Sequence, residues 1–272
     1  MTDLPILGAA MTLKDVEINR NWLLEMPRDL ELQDFVPAEV LAGDWQSVVD
    51  EARRLLDGHR GRLGMHGPFM GLNVASADPD IRAVVAKRMD QALDVAAALD
   101  VTQIVIHSPY STWMHNNLDN WPEQRQRVFE LTHQTLDAAV KRAEDQGCVF
   151  VLENIEDKDP ADRRKLIESF NSPALALSID TGHAAYAFGS TGAPPVDYYV
   201  LDAAEQLQHV HLQDADGYAD RHWPVGHGNL NWRAIFGRLA NISSNPRLII
   251  EIRDKSLIQA SAAHLAALGL AQ

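Results

Sequence analysis

The chain has 272 residues, of which 46% are hydrophobic, enough to bury the core of one large domain. Its 24 basic and 38 acidic residues leave a formal charge of −14, which opposes attraction to a polyanion and makes nucleic acid an unfavourable partner. A single cysteine, apolar runs shorter than the roughly 20 residues of a membrane helix, and the lack of a basic signal-peptide region predict a cytoplasmic protein with no disulfide and no membrane partner.

Eight short apolar runs recur along the chain and predict β-strands. Several are continuous runs of Val, Ile and Leu, which is the pattern of parallel strands covered on both faces. In chain order they are PILGAAM, DLELQDF, RLGMHGPF, QIVIHSPY, VFVLENIE, LALSIDTGH, LQHVHLQDA and RLIIEIRD.

Segments with helical periodicity lie between these runs. The clearest are DWQSVVDEARRLLDGH, PDIRAVVAKRMDQALDVAAALD and PEQRQRVFELTHQTLDAAVKRAEDQG. Asp44 is placed to cap the first segment, while Pro122 and Gly147 are placed to begin and end the last. Eight alternations without a linker predict an α/β fold, a single (β/α)8 TIM barrel over residues 1–272. The alternative, an open doubly wound sheet, would need a Gly-rich phosphate loop after the first strand, and GAAMTLKD is not one.

Histidines and carboxylates end six consecutive predicted strands. In a TIM barrel the functional groups lie at the C-terminal ends of the strands and in the loops that follow them. The polar loop DADGYADRHWPVGHGNLNW, after the seventh strand, adds two more such groups and turns the chain back at its glycines. The nine candidates are His66, His107, Glu153, Asp180, His183, His211, Asp220, His222 and Glu251.

Taken singly, each of these residues has an ordinary structural explanation, such as a hydrogen-bonded histidine or a salt-bridged glutamate. Four carboxylates gathered in one barrel mouth, however, would repel one another unless cations neutralised them, and no Lys or Arg cluster occurs among the strand ends. Imidazole and carboxylate ligands without thiolate suit Zn²⁺, and also Mn²⁺ or Fe²⁺. The sequence therefore predicts a divalent metal site at the barrel mouth.

Two neighbouring residues have different predicted roles. Arg221 lies between Asp220 and His222 and is predicted to pair with a substrate phosphate, with a surface salt bridge as the alternative. His209 precedes His211 by two positions on the same strand face, deeper in the barrel. It is therefore predicted to support a ligand rather than to be one.

The segments HGPF, IHSPY, LEN, IDTGHAAYA, HVHLQD, DRHWPVGHGN and IIEI resemble, in order and spacing, the metal-binding segments of the xylose isomerase-like TIM barrel superfamily (AP endonuclease family 2). Within it they are most similar to the endonuclease IV enzymes. The resemblance implies up to three cations per chain, with Glu153 shared by two of them. The implied ligand groups are His66, His107 and Glu153; Glu153, Asp180, His211 and Glu251; and His183, Asp220 and His222.

Two reactions follow from the resemblance. The main hypothesis is a metal-dependent hydrolase of a small anionic phosphodiester, because the acidic chain disfavours the nucleic acid substrate of endonuclease IV. The alternative is a sugar or sugar-phosphate isomerase or epimerase with one cation on Glu153, Asp180, His211 and Glu251, in which Glu153 and Glu251 carry the proton. A metal-binding protein without catalysis and a homo-oligomer both stay open.

Overall fold

The computed structural model describes residues 4–272, and within that range eight parallel strands close into a barrel in chain order. The strands are β1 (Gly8–Met11), β2 (Leu30–Leu32), β3 (Leu63–His66), β4 (Gln103–His107), β5 (Val149–Glu153), β6 (Leu175–Asp180), β7 (Leu207–Leu212) and β8 (Arg247–Ile250). The barrel closes where β8 pairs in parallel with β1. The predicted (β/α)8 TIM barrel is confirmed, and each strand lies within one of the eight apolar runs.

Helices connect successive strands. In the described chain they are α1 (Leu13–Glu25), α2 (Ala38–Ala42), α3 (Trp45–Leu55), α4 (Pro79–Leu99), α5 (Thr112–Asn117), α6 (Gln124–Gln146), α7 (Pro160–Phe170), α8 (Thr181–Thr191), α9 (Val196–Ala203), α10 (Trp232–Leu239) and α11 (Ile258–Ala267). Among residues 4–272, no helix combines the length and the apolar character needed to cross a membrane.

The predicted helix boundaries are largely confirmed. The side chain of Asp44 accepts a hydrogen bond from the backbone N–H of Ser47 and so caps α3. Gly147 ends α6 in the left-handed conformation, with a φ of 68°. α6 begins at Gln124 rather than at Pro122.

The barrel interior is apolar below the mouth. Val105 and Val151 pack together there and share a strand face with His107 and Glu153, because side chains alternate along a strand. Glu153 therefore tops an apolar stack, as the alternation predicts. Cys148 is buried, and burial raises the pKa of its thiol to about 11, so it behaves as a small hydrophobic residue.

The loop between β7 and α10 is folded around the buried carboxylate of Asp214. Oδ2 of Asp214 accepts from the backbone N–H of Gly226 at 2.8 Å and from the indole N–H of Trp232 at 3.1 Å. Its backbone forms an antiparallel bridge with Trp223, with hydrogen bonds of 2.9 and 3.1 Å. These bonds hold the Asp220–His222 segment in a closed turn instead of leaving it to extend into solvent.

Gly228 tests how tightly this loop is packed. A Cβ at position 228 would overlap the Asp214 carboxylate and the backbone of Ala215. We expect Gly228→Ala to lower the free energy of unfolding by about 1–3 kcal/mol because the clash is with backbone that cannot move aside. Urea denaturation would measure this. The matched control is Gly237→Ala in α10, where a Cβ meets nothing within 4 Å and the better helix propensity of alanine should preserve stability. Equal stability of the two variants would contradict the tight packing of the loop.

Candidate metal centre

The nine predicted ligands meet at the C-terminal mouth of the barrel. They form three groups in which each residue offers a ligand atom within 4.8 Å of the others. The first cluster is His66, His107 and Glu153; the second is Glu153, Asp180, His211 and Glu251; the third is His183, Asp220 and His222. Glu153 belongs to both the first and the second cluster, as the resemblance implies.

The first cluster has the dimensions of a metal site. Nε2 of His66 and Nε2 of His107 lie 3.4 Å apart, and they are 3.6 and 3.5 Å from Oε2 of Glu153. Nitrogen ligands about 2.0–2.1 Å from a tetrahedral Zn²⁺ lie about 3.4 Å from one another. Oε2 of Glu153 is buried and has no hydrogen-bond partner among the described residues, so its lone pairs are free for a cation. The residues therefore fit a divalent cation.

The second cluster lies directly below and shares the same carboxylate. Nδ1 of His211 lies 3.0 Å from Oε1 of Glu153 and 3.3 Å from Oε2 of Glu251. Asp180 ends β6, and both of its carboxylate oxygens accept from Nε2 of Gln213, at 3.0 and 3.1 Å. All four side chains are buried, so the cluster has little access to solvent.

The third cluster is built by the loop after β7. Nε2 of His183 lies 3.4 Å from one carboxylate oxygen of Asp220, and Nε2 of His222 lies 3.1 Å from the other. His222 holds a left-handed φ of 48°, which is unfavourable for a residue with a Cβ. Its backbone N–H donates to Oε1 of Gln213 at 2.6 Å, and this bond helps to hold the unusual conformation. Strain of this kind is common where a side chain must be aimed at a functional site.

The charges of the clusters are balanced between carboxylates and imidazoles. Burial raises the pKa of Glu153, but the charge and hydrogen bond of His211 and the contact with His66 outweigh it and hold the pKa well below its usual range. Burial has the opposite effect on a histidine and lowers the pKa of His107 to about 3, so this imidazole is neutral and its lone pair is available. Glu251 also has a lowered pKa, because His211 and His222 offset the effect of burial.

The two histidines of the third cluster have raised pKa values, in contrast to His107. Burial lowers the pKa of His222, but the hydrogen bond to Asp220 and the charges of Glu251 and Asp180 outweigh it and raise the pKa to about 9. The pKa of His183 is raised well above its usual value, because Asp180 and Asp220 together offset burial. In the metal-free protein these two imidazoles therefore carry protons at neutral pH.

A cavity of about 590 Å³ opens above the three clusters. Its walls are apolar as well as polar, since Val36, Phe69, Met70 and Ile155 line it beside the clusters. Phe69 stacks on the ring of His107 with centroids 4.1 Å apart. In the described part of the chain, the residues lining this cavity include no lysine or arginine.

Arg221 is not brought together with the nine ligands. Its guanidinium pairs with Asp216 at 2.8 Å and lies over the ring of Trp223, 5.2 Å from the centroid. The surface salt bridge that the sequence offered as an alternative is therefore present. A catalytic role for Arg221 stays a prediction, and it would require this ion pair to open.

Four further residues around the site were not anticipated from the sequence. They are Glu31, Gln33, Asn154 and Gln213. Glu31 alternates with two leucines in β2, and a charged residue in a strand covered on both faces is a signal that it needs a buried partner. The amide of Asn154 bridges β5 and β6 by donating to Asp180 O at 3.1 Å and accepting from Asp180 N–H at 2.9 Å. A lone Gln or Asn at a strand end carries no comparable signal.

Comparison with known proteins agrees with this architecture. MJ1311 of Methanocaldococcus jannaschii is 26% identical over 216 residues, which are 75% of this chain and 68% of that protein. The solved structure of the TTHB071 protein from Thermus thermophilus, soaked with ZnCl₂, is 26% identical and covers 96% of this chain and 97% of its own, with a TM-score of 0.72. A D-tagatose 3-epimerase-like protein, 19% identical, covers 97% and 98% of the two chains with a TM-score of 0.75 and has the same fold.

One family model spans almost the whole barrel. It is the model of the xylose isomerase-like TIM barrel, and it matches residues 25–268. The match includes all nine residues of the three clusters, so the predicted resemblance and the observed clusters refer to the same part of the chain. The chain therefore belongs to the xylose isomerase-like TIM barrel family.

Proposed function

We propose that the protein is a metal-dependent isomerase or epimerase of an uncharged sugar, with its cation on the second cluster. The observation that carries this proposal is the combination of four buried ligands, Glu153, Asp180, His211 and Glu251, with a cavity that has no cationic side chain on its walls within the described residues. This replaces phosphodiester hydrolysis, the main hypothesis from the sequence, as the leading function.

The two glutamates of the second cluster can carry the proton. A bound divalent cation supplies Lewis-acid polarisation of a sugar carbonyl. In the metal-free protein both Glu153 and Glu251 have lowered pKa values and are ionised at neutral pH, and a bound cation would also favour the ionised form that a general base requires. One glutamate removes the proton from the carbon beside the carbonyl, and the other returns a proton to a neighbouring position or to the opposite face.

Glu251 is held in place by a chain of side chains from two loops. Nε2 of Gln33 donates to Oε1 of Glu251 at 2.6 Å, and Nζ of Lys255 donates to Oε1 of Gln33 at 3.0 Å. Burial lowers the pKa of Lys255, against the charges of Glu251 and Asp15. The Gln33 amide thus fixes the rotamer of the catalytic carboxylate while keeping the lysine out of direct contact with it.

The walls of the cavity favour an uncharged substrate. A sugar presents a CH face that packs on an aromatic ring, and Phe69 offers such a ring beside His107. A phosphate group would need a cationic partner, yet Arg221 is neutralised by Asp216 and the chain carries a net charge of −14. The similarity to a D-tagatose 3-epimerase-like protein supports a sugar substrate.

A second candidate function is hydrolysis of a small phosphodiester. The specific observation that favours it is the completeness of the first and third clusters, which contain five residues that a reaction at the second cluster does not need. When bound, three divalent cations would outweigh the four carboxylates and supply the charge neutralisation and water activation that this hydrolysis requires. The acidic chain still disfavours a nucleic acid as the substrate.

The number of tightly held cations separates the two candidates. We expect protein purified without chelators to keep one divalent ion per chain after dialysis, as counted by elemental mass spectrometry. Asp180→Ala should lose this ion because it removes a ligand of the second cluster, whereas Asp220→Ala should keep it. Two or three retained ions, with one lost in Asp220→Ala, would instead support the phosphodiesterase.

Hydrogen exchange measures the proposed reaction directly. We expect a ketose from a panel of free sugars to take up deuterium from D₂O at the carbon beside its carbonyl, as followed by NMR. Glu251→Gln should slow this exchange by about 10²-fold or more because it removes a general base. Glu17→Gln, the same change at an exposed residue of α1 away from the barrel mouth, is the control. In Asp220→Ala and His222→Ala the exchange should persist, with losses mainly in KM.

The same variants test the second candidate. Cleavage of bis-p-nitrophenyl phosphate or a glycerophosphodiester by the wild type, lost in Asp220→Ala and His222→Ala and without exchange on any sugar, would show the leading proposal to be wrong. Losses of about 10²-fold are expected for a single electrostatic group in that case.

The third cluster should bind zinc in a pH-dependent manner. Its imidazoles hold protons in the metal-free form, with the pKa of His222 raised to about 9, and zinc must displace these protons. Zinc affinity beyond the first ion should therefore increase as pH rises from 6 towards 9, instead of levelling off near the usual histidine pKa of about 6.5. Calorimetry in two buffers of different ionisation enthalpy measures the protons released. An affinity that is flat above pH 7 would contradict the raised pKa values.

A further inference from the structure

Behind the second cluster, Glu31 of β2 reaches across the barrel interior to β7. Its two carboxylate oxygens lie 3.1 and 3.0 Å from Nε2 of His211. The two strands are not hydrogen-bonded neighbours in the closed barrel, so this contact is made through side chains alone. Glu31 is 2% exposed and His211 is fully buried, so no solvent competes for either partner. A buried carboxylate in this position binds a ring N–H strongly.

The other nitrogen of His211 faces the cation ligands. Nδ1 lies 3.0 Å from Glu153 and 3.3 Å from Glu251, on the side of the ring opposite to Glu31. A neutral imidazole carries one proton, and its other nitrogen offers the lone pair. We propose that Glu31 is a positioning residue, which holds the ring proton on Nε2 of His211 and so directs the lone pair of Nδ1 to a cation in the second cluster.

Two more buried side chains support Glu31 from below. Nε2 of His209 lies 3.0 Å from Oε2 of Glu31, and its Nδ1 lies 2.8 Å from Oγ of Ser178. With the Ser178 hydroxyl donating to Nδ1, the ring proton of His209 lies on Nε2, the nitrogen in contact with Glu31, although this contact lacks hydrogen-bond geometry. This arrangement places two imidazoles against one carboxylate and fixes its rotamer. His209, which the sequence predicts to support a ligand, thus contacts Glu31 in the structure.

Glu31, His209 and His211 also form a group whose ligand atoms lie within 4.8 Å of one another, so a separate cation on these three residues is the competing explanation. A cation there would take Nε2 of His211. His211 would then either lose both ring protons or leave the second cluster. A carboxylate–histidine–metal relay needs neither change, and it is the usual way in which a metal-binding histidine is oriented.

The position of the ring proton is measurable in the wild-type protein. The full chain, labelled with ¹⁵N-histidine and loaded with Zn²⁺, should show His211 protonated at Nε2 and coordinated through Nδ1 in long-range ¹H–¹⁵N spectra. Coordination through Nε2, or a ring without any proton, would overturn the proposal. This measurement does not depend on any variant folding.

Substitution of Glu31 tests the energetic consequence. Glu31→Gln removes the negative charge and should weaken zinc binding by about 10- to 100-fold, measured by competition with a chromophoric chelator. The control is Asp34→Asn, the same loss of charge at a carboxylate that accepts from the backbone N–H of Leu13 at 2.9 Å and is a member of none of the clusters. Zinc affinity in Glu31→Gln equal to that of the wild type, or reduced no more than in Asp34→Asn, would overturn the proposal.

The inference rests on cation binding by the second cluster, which both candidate functions share, and the results separate the two levels. A wild-type chain that binds none of Zn²⁺, Mn²⁺ and Fe²⁺ would overturn the proposed function together with the role of Glu31. Tight binding through Nε2 of His211, or binding unaffected by Glu31→Gln, would overturn the role of Glu31 and leave the proposed function standing.

Discussion

The site depends on the buried charge of Glu153. Its side chain is 1% exposed, so the protein itself must solvate the carboxylate. Oε1 is hydrogen-bonded to His211, while Oε2 faces His66 and His107 without a hydrogen bond. A buried acceptor left without a donor costs about 1–3 kcal/mol. A cation between Glu153, His66 and His107 would remove that cost. Because Glu153 also belongs to the second cluster, this one residue joins the two clusters.

The surrounding residues keep these ligands in fixed positions. Asn154 ties the ends of β5 and β6 together, and Gln213 connects Asp180 to the Asp220–His222 segment. A metal site tolerates little error in distance, so such hydrogen bonds matter as much as the ligands themselves. In the loop after β7, the carboxylate of Asp214 holds the turn that carries Asp220 and His222 in place.

Electrostatics separates the two candidate reactions. The second cluster is common to both, and its glutamates are ionised because buried histidines face them. An uncharged sugar can enter a cavity without cationic walls. A phosphodiester needs positive charge at the base of the cavity, which only several bound cations would supply. The choice thus depends on whether the first and third clusters hold cations tightly, and not on the shape of the barrel, which supports many chemistries.

The sequence alone predicted the barrel and placed nine candidate ligands at its mouth. Eight apolar runs alternating with amphipathic segments specify parallel strands covered by helices, and parallel strands bring their C-terminal ends to one rim. Residues such as His66 and Glu251 could therefore be placed at one mouth although they are far apart in the chain. Their assignment to three groups came from resemblance to a known family, because alternation gives the face of a residue but not its neighbours across a barrel.

Only the tertiary structure decided which side chains meet across the interior. Glu31 and His211 lie on strands that do not pair, and no local pattern relates their positions. The structure also decided that Arg221 pairs with Asp216, since the turn that brings them together is set by bonds to Asp214. Strand periodicity is a local property of the chain, whereas contacts across the barrel depend on its closure and on the path of each loop.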